Sequence, residues 1–265
     1  MKPLFSAAGY LALRGFLQQP ALCLFDFDGT LAPLVRNPAL VRLPSTIQVQ
    51  LQALQPWAPV GIVTGRSLAD VRKRLGFEPD YVIGNHGLEG LPGWKRQAAK
   101  NFALCRVCLS SLQPMLSDLG KGVWIEDKSY SLTVHYRQTI DHKRAEKILS
   151  AIFEKLSPAP RIIPGKFNRS LLPANAGDKG FAVAQLLLLS QKYRALYVGD
   201  DSTDEDVFSL HHPGLFMVRV GDEGVTAADY VIEDHGDIGR LLDLLQVLLP
   251  FSSRTELMHL GLCLQ

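Results

Sequence analysis

The sequence predicts an α/β fold, with a doubly wound, mostly parallel β-sheet core and an inserted α+β domain. Short apolar runs that end in polar turns and lead into helix-type patterns fill the first part of the chain. This alternation indicates parallel strands joined by helices, and it returns in the last part of the chain. The segment between shows the period-two alternation of antiparallel strands. We therefore expect a core built from residues 1–90 and 177–265, with an inserted domain at residues 91–176.

The chain is predicted to open with an amphipathic helix inside residues 1–16. Gly9, Tyr10 and Arg14 interrupt its apolar positions, whereas a secretion signal needs an unbroken apolar stretch. The run LCLF at residues 22–25 then predicts a short buried strand, because a bounded apolar run of this length is more typical of a core strand than of a helix.

Two carboxylates follow this first strand. Because side chains alternate along an extended chain, Asp26 and Asp28 are expected to point to one side and Phe27 to the other. Gly29 and Thr30 then turn the chain away. Carboxylates this close repel each other unless a cation neutralises them or one of them binds a proton. The structural alternative is an Asx-type turn with a helix cap.

The remaining core strands also end in polar turns. The apolar runs are VGIV (60–63), YVI (81–83), ALYVG (195–199), LFMVRVG (215–221) and DYVI (229–232). A helix is predicted over residues 67–75, and another after the acidic turn DDSTDED. Ligands of open parallel sheets bind beyond the carboxyl ends of the strands, so we expect these turns to face one crevice.

The inserted domain is predicted to be rich in β-structure. WIEDKSYSLTVHYR (124–137) alternates around a turn, a helix pattern follows over residues 141–156, and RIIPGKFNRSLLP (161–173) again favours strands. The chain shows no internal repeats.

Composition predicts a soluble protein with a small-molecule partner. The 265 residues are 47% hydrophobic and 20% charged, with a net charge of +2, which is too weakly basic to indicate nucleic acid. No apolar run is long enough to cross a membrane, and we expect a cytoplasmic monomer. Cys105 and Cys108 form a CxxC, but no second pair completes a zinc site.

Other strand ends carry groups that suit a phosphate and a magnesium ion. Thr64 supplies a hydroxyl, Lys179 a cation, and Asp200, Asp201 and Asp204 supply carboxylates. Mg²⁺ prefers oxygen ligands and is often held by carboxylates together with phosphate oxygens. Each feature has a structural alternative: Thr64 as a helix cap, Lys179 as a solvated side chain, and the acids as favourable charge at a helix N-terminus. Their shared position at strand ends favours the site.

This set resembles the haloacid dehalogenase superfamily of phosphotransferases. DFDGT, the strand of Thr64, Lys179 and GDDSTDED stand in the four motif positions of that superfamily, in the same order. Within it, VTGRS, GNHGLE, EDKSYSLTVHYR and GDDSTDED are similar to the trehalose-6-phosphate phosphatases. The resemblance implies Mg²⁺-dependent hydrolysis of a sugar phosphate, with trehalose 6-phosphate as the expected substrate.

The resemblance also implies roles for the core residues. Asp26 would be the nucleophile, forming an aspartyl-phosphate, and Asp28 the general acid and base. Mg²⁺ would be held by Asp26, the backbone carbonyl of Asp28, and Asp200. Thr64 and Lys179 would bind phosphate oxygens. The remaining expected members, which orient waters or Lys179 or complete the floor of the pocket, are Asp201, Asp204, Arg66, Asn85 and His86. For His86, a structural role in the turn at residues 84–87 is the alternative.

The inserted domain would then be a cap that excludes water and reads the sugar. Its expected substrate-binding residues are Glu126, Lys128, His135, Arg137, Lys166 and Ser170. Family members commonly carry a glutamate and a basic residue where this chain has Ser170 and Leu172. A serine is too short to span the same distance to a sugar hydroxyl, so a related glycoside or pseudo-disaccharide phosphate is an alternative substrate. A sugar phosphomutase and a non-catalytic sugar-phosphate sensor are the alternative functions.

Overall fold

The computed structural model describes residues 2–35, 37–116, 121–165, 167–191, 193–221 and 224–261. The chain divides into two compact units. The first combines residues 1–86 with 178–265, and the second comprises residues 87–177. From the sequence, we expect the boundaries between the two units after residue 90 and after residue 176.

The elements alternate between strands and helices in the first unit and cluster as strands in the second. The strands are β1 (Lys2–Pro3), β2 (Leu22–Phe25), β3 (Val60–Val63), β4 (Tyr81–Ile83), β5 (Trp124–Asp127), β6 (Leu132–His135), β7 (Arg161–Gly165), β8 (Asn168–Leu172), β9 (Ala195–Gly199), β10 (Leu215–Val220) and β11 (Tyr230–Ile232). The α-helices are α1 (Ala7–Phe16), α2 (Ser45–Leu54), α3 (Leu68–Leu75), α4 (Lys95–Leu116), α5 (His142–Phe153), α6 (Lys179–Leu189), α7 (Glu205–Phe208) and α8 (Ile238–Gly261).

The first unit is built on a seven-stranded sheet in the order β1-β11-β10-β9-β2-β3-β4. All of its strand pairs are parallel. Strands β2, β3 and β9 are buried along their whole length, as expected when helices cover both faces of a parallel sheet. The α/β fold class predicted from the sequence is confirmed. The pairing of β1 with β11 was not predicted, because a two-residue strand is too short to show a pattern.

Several helices begin at a residue whose side chain binds a free backbone N–H group of the first turn. Ser67 accepts from the N–H of Asp70 at the start of α3, and Asp178 accepts from the N–H of Phe181 at the start of α6. Such caps satisfy donors that have no partner inside the helix. The cap of α6 directly precedes Lys179, so it fixes the backbone from which that lysine extends.

The second unit has an antiparallel sheet in the order β5-β6-β8-β7. Leu132, Val134 and Leu171 pack in one apolar cluster with Leu149 and other residues of α5. Asp141 caps α5, which ends at residue 153, three residues earlier than the sequence pattern indicates. No helix was predicted over α4. In the part of the chain that the structure describes, no helix has the length and apolarity that a membrane crossing requires.

Candidate active site

The ends of strands β2 and β9 bring three carboxylates together. The two strands are parallel neighbours, and the backbone N–H of Asp26 donates to the carbonyl of Val198 at 2.9 Å. Asp200 follows β9 directly. As a result, carboxylate oxygens of Asp26, Asp200 and Asp204 lie within 4.8 Å of one another. The strand pairing therefore creates the crowded acidic site that the sequence motifs predict.

Lys179 places a buried cation among these acids. It is the first residue of α6 and only 2% exposed. Its Nζ donates to Oδ1 of Asp26 and to Oδ1 of Asp204, each at 2.9 Å. Burial opposes the charged form of Lys179, but the charges of Asp204 and Asp26 outweigh it and raise its pKa. The lysine therefore remains a cation beside the predicted nucleophile.

Asp204 is the anchor of this arrangement. Its Oδ1 accepts from Lys179 and from the hydroxyl of Tyr197 at 2.6 Å. Its Oδ2 accepts from the backbone N–H groups of Asp200 and Asp201, at 2.9 and 3.0 Å. A carboxylate has about four lone-pair sites, so these four donors occupy it. Asp204 therefore orients its neighbours and is not suited to bind a metal directly.

Asp26 and Asp200 are the carboxylates that fit a magnesium ion. Oδ1 of Asp26 accepts from Lys179, and Oδ1 of Asp200 accepts from the hydroxyl of Thr30 at 3.0 Å. For neither carboxylate does Oδ2 have a hydrogen-bond partner among the described residues. The donors are all oxygen atoms, as Mg²⁺ prefers. Gly29 has a φ of 89° and lies beside Asp200, because an added Cβ at this position would lie 2.0 Å from Oδ2 of Asp200.

The electrostatics of the two carboxylates also indicate a cation site. Burial, and then the charges of Asp204 and Asp201, raise the pKa of Asp200 to about 7. Burial also raises the pKa of Asp26, and Lys179 only partly offsets this. A nucleophilic carboxylate must be ionised. A divalent cation between the two acids would favour their charged forms, because an opposite charge at short range lowers a carboxyl pKa.

Asp28 points its carboxylate at Arg66. Nε and Nη2 of Arg66 donate to the two oxygens of Asp28, each at 2.6 Å, and Nη1 donates to Asp70 at 2.8 Å. The guanidinium also lies over the ring of Phe27, which is buried. Arg66 was predicted to complete the floor of the pocket, and the structure pairs it with two carboxylates. The side-chain oxygens of Asp28 are engaged, which leaves its backbone carbonyl as the group expected at the metal.

Thr64 and the turn after β4 form one bonded unit. Thr64 is buried at the end of β3, and its Oγ1 accepts from the N–H of Arg66 at 3.2 Å. The N–H groups of Asn85 and His86 donate to the carbonyls of Arg66 and Thr64, at 2.7 and 3.0 Å. Asn85 and His86 both have positive φ, which is uncommon outside glycine.

The ring of His86 packs against Gly65, where an added Cβ would lie 2.5 Å from Cε1 of His86. The ring also interacts electrostatically with Asp201. Its position is therefore compatible with both the structural and the site role. Asp201 itself accepts from the N–H and hydroxyl of Thr203 and lies 4.0 Å from Nζ of Lys179.

Within the second unit, three predicted substrate-binding residues meet. Oε2 of Glu126 lies 2.9 Å from Nε2 of His135 and 3.9 Å from Nζ of Lys128. Trp124 stacks on the ring of His135, with centroids 4.0 Å apart. Residues directly opposite in an antiparallel pair share a face of the sheet. Glu126 lies opposite Thr133, and Thr133 opposite Ser170, so this group lies on the face opposite Leu132, Val134 and α5.

The remaining positions that the sequence analysis singled out in this unit differ in burial. Ser170 is buried, and its hydroxyl is 3.0 Å from that of Thr133. Leu172 is also buried. Arg137 is exposed two residues beyond β6. Lys166 lies outside the described residues.

Three residues of the site were missed in the sequence. Tyr197 is buried in β9 and bonded to Asp204, Thr30 is bonded to Asp200, and Asp70 is bonded to Arg66. Only Tyr197 carries a usable signal: a tyrosine inside a fully apolar strand must find a partner for its hydroxyl. The other two contacts depend on which strands are neighbours.

The family model and the curated relatives point to one family. A family model described as trehalose-phosphatase matches residues 24–228. A trehalose-phosphate phosphatase of Mycobacterium tuberculosis is 30% identical over 240 residues, covering 85% of this chain and 61% of the relative. A probable trehalose-phosphate phosphatase D of Arabidopsis thaliana is 27% identical, covering 82% of this chain and 64% of the relative. The chain thus spans under two thirds of the length of these curated relatives.

Solved structures support the fold. The C-terminal domain of a trehalose-6-phosphate phosphatase from C. albicans superposes with a TM-score of 0.71 at 23% identity, covering 93% of this chain and 98% of that one. A haloacid dehalogenase-like hydrolase from Bacteroides thetaiotaomicron gives a TM-score of 0.56 at 14% identity, covering 85% and 99%. At these identities, the likeness concerns the fold alone.

Proposed function

The chain belongs to the trehalose-phosphatase family, and we propose that it hydrolyses trehalose 6-phosphate to trehalose and phosphate. The reaction would depend on Mg²⁺ and proceed through an aspartyl-phosphate. The observation that carries this proposal is the convergence of Asp26 and Asp200, at the ends of neighbouring strands, with Lys179, at the start of α6. It combines a carboxylate nucleophile, a cation for the phosphate and an oxygen-donor metal site. The cytoplasmic location and the monomeric state remain predictions.

In the first step, a carboxylate oxygen of Asp26 attacks phosphorus and the bond to the sugar oxygen breaks. Asp28, whose oxygens both accept from Arg66 in this structure, would carry a proton on one of them when substrate is bound and give it to the leaving oxygen, because a sugar alkoxide is a poor leaving group. In the second step, Asp28 takes a proton from water, and the water oxygen attacks the phosphorus and releases Asp26. Lys179 and Thr64 stabilise the negative charge on the phosphate oxygens.

Asp26, the backbone carbonyl of Asp28, and Asp200 would hold the Mg²⁺. When bound, the ion neutralises the phosphate and favours the ionised form of Asp26. Asp204 keeps Lys179 directed at Asp26. Asp201, His86 and Asn85 would shape the site around these groups, and Arg66 would act through Asp28.

The second unit would recognise the sugar. Supporting this is the cluster of Glu126, Lys128 and His135, which offers charged hydrogen-bond donors and acceptors on one sheet face. Arg137 and Lys166 are further proposed members. At the position where the family commonly has a glutamate, Ser170 binds Thr133 instead. A related glycoside or pseudo-disaccharide phosphate is therefore the second candidate substrate.

A substrate screen tests the proposal. Purified protein is assayed for released phosphate against trehalose 6-phosphate, other disaccharide phosphates and monosaccharide phosphates. We expect the highest specificity constant with trehalose 6-phosphate. Release of phosphate without a bisphosphate activator would exclude a phosphomutase. Binding without any turnover in the presence of Mg²⁺ would contradict the phosphatase and favour a sensor.

Ser170→Glu tests the sugar-reading role. A glutamate there can pair with a sugar hydroxyl that otherwise loses a partner, at a cost of about 1–3 kcal/mol. We expect the specificity constant for trehalose 6-phosphate to rise by about one to two powers of ten. A small generic phosphoester should be unaffected. An equal change with both substrates would show that Ser170 acts on folding through its bond to Thr133.

A further inference from the structure

Asp70 joins two arginines beside the proposed acid–base residue. Its Oδ2 accepts from Nη1 of Arg66 at 2.8 Å and from Nε of Arg74 at 2.9 Å, and its Oδ1 accepts from Nη2 of Arg74 at 2.5 Å. Arg74 also donates to the carbonyls of Ala39 and Val41, both at 2.8 Å. Both oxygens of Asp70 are therefore held by groups that are themselves anchored.

The network alternates in charge from Asp28 through Arg66 and Asp70 to Arg74. The arginine side chains are only 11% and 9% exposed, so their ion pairs are screened less than pairs at the surface. Burial would raise the pKa of Asp70, but hydrogen bonds from Arg74 and Arg66 outweigh it and lower the pKa. Asp70 is thus a permanent anion near neutral pH.

The geometry of Arg66 depends on this anion. A guanidinium is a rigid planar fork, so the direction of one edge fixes the direction of the other. Asp70 holds Nη1, while Nε and Nη2 form the bidentate pair with Asp28 and Nη2 also donates to the carbonyl of Pro38 at 3.0 Å. Moving Nη1 would therefore rotate the edge that contacts Asp28.

We propose that Asp70 is a positioning residue for proton transfer by Asp28, acting through Arg66 and held in place by Arg74. This inference rests on the proposed function, in which Asp28 protonates the leaving oxygen. It extends the site by two residues on α3, Asp70 and Arg74, which form no hydrogen bond or ion pair with Asp26 or Lys179 in the described part of the chain.

The matched variants are Asp70→Asn and Glu78→Gln. Each removes one carboxylate charge near α3, but Glu78 pairs with Arg72 at the surface, at 3.4 Å. A misplacement of about 1 Å can cost about 100-fold in rate. We expect Asp70→Asn to lower single-turnover release of trehalose from trehalose 6-phosphate by about 10- to 100-fold, and Glu78→Gln to leave it unchanged.

A second substrate separates positioning from general damage. The leaving p-nitrophenolate of p-nitrophenyl phosphate needs little protonation, so its single-turnover release should change by less than about 2-fold in Asp70→Asn. Equal losses with both substrates, or no loss with the sugar phosphate, would overturn the inference. Magnesium-induced thermal stabilisation should match wild type, since Asp70 is not bonded to Asp26 or Asp200.

The wild-type assay keeps the two proposals distinguishable. If wild type hydrolyses a different alkyl phosphate, the substrate proposal fails. The single-turnover rate of Asp70→Asn relative to wild type is then measured with that ester. If wild type hydrolyses none of these esters, a measurement that does not depend on activity still tests the role of Asp70. The Nε–H resonance of Arg66, identified with Arg66→Lys, should be protected from exchange in wild type and Glu78→Gln and exposed in Asp70→Asn. Retained protection in Asp70→Asn would overturn the inference.

Discussion

Tyr197→Phe removes one hydroxyl from the buried centre of the candidate site and nothing else. The phenol is fully buried in β9, and its hydroxyl donates to Oδ1 of Asp204 at 2.6 Å. Burial, and then the charge of Asp204, raise the pKa of Tyr197, so it remains a neutral donor. Phenylalanine keeps the ring and its edge contact with Phe208, whose centroid is 5.9 Å away.

The expected loss of stability follows from the charge of the acceptor. A hydrogen bond to a charged group contributes about 1.5–3 kcal/mol, and a buried acceptor deprived of its donor has no water to replace it. Asp204 would keep Lys179 and two backbone donors, so the remaining network should hold. For a unit of this size, the loss corresponds to a fall in Tm of about 3–12 °C.

The assay must report on the unit that contains Tyr197. Trp57 belongs to this unit, whereas Trp94 and Trp124 belong to the other. In a background of Trp94→Phe and Trp124→Phe, the fluorescence of Trp57 therefore follows urea unfolding of the unit of interest. Phosphate release measured alongside should also fall, because Oδ1 of Asp204 can then draw Lys179 away from Asp26.

Tyr193→Phe is the matched control, because Tyr193 is 68% exposed. It should change the free energy of unfolding by less than about 0.5 kcal/mol. If Tyr197→Phe stays within the same limit, the bond from Tyr197 to Asp204 contributes nothing measurable, and the reasoning on the buried network is wrong.

Three further predictions concern the nucleophile, the metal and the turn that supports Asp200. Asp26→Asn should fold but lose several orders of magnitude in phosphate release, because an amide cannot attack phosphorus; near-normal turnover would exclude Asp26 as the nucleophile. Chelator should abolish activity, Mg²⁺ should restore it, and Ca²⁺ should inhibit because of its larger, looser coordination; turnover that resists chelator would contradict the metal site. Gly29→Ala should lower the apparent affinity for Mg²⁺ by at least about tenfold, because the added Cβ would collide with Asp200 and the φ of residue 29 is positive. The affinity is measured from Mg²⁺-induced thermal stabilisation. Wild-type magnesium affinity in that variant would show that Asp200 does not bind the ion.

The sequence alone determined the fold class, the order of the strands along the chain and the residues at their ends. These features are local: a short apolar run followed by Asp26 or Asp200 shows both the strand and the polar group that ends it. The starts of two helices are equally local: the sequence pattern predicts helices from residues 67 and 141, and in the structure Ser67 and Asp141 cap the helices that they precede.

The tertiary structure decided which of these residues meet. β2 lies between β9 and β3. This order lets Thr30 bind Asp200 and Arg66 bind Asp28, although the partners of each pair are far apart in the chain. It also gave Asp204 four donors, and so the role of an anchor. Hydrogen bonds extend only about 3 Å. Their partners are therefore fixed by the packing of strands and helices, and a pattern of residue types along one chain cannot specify them.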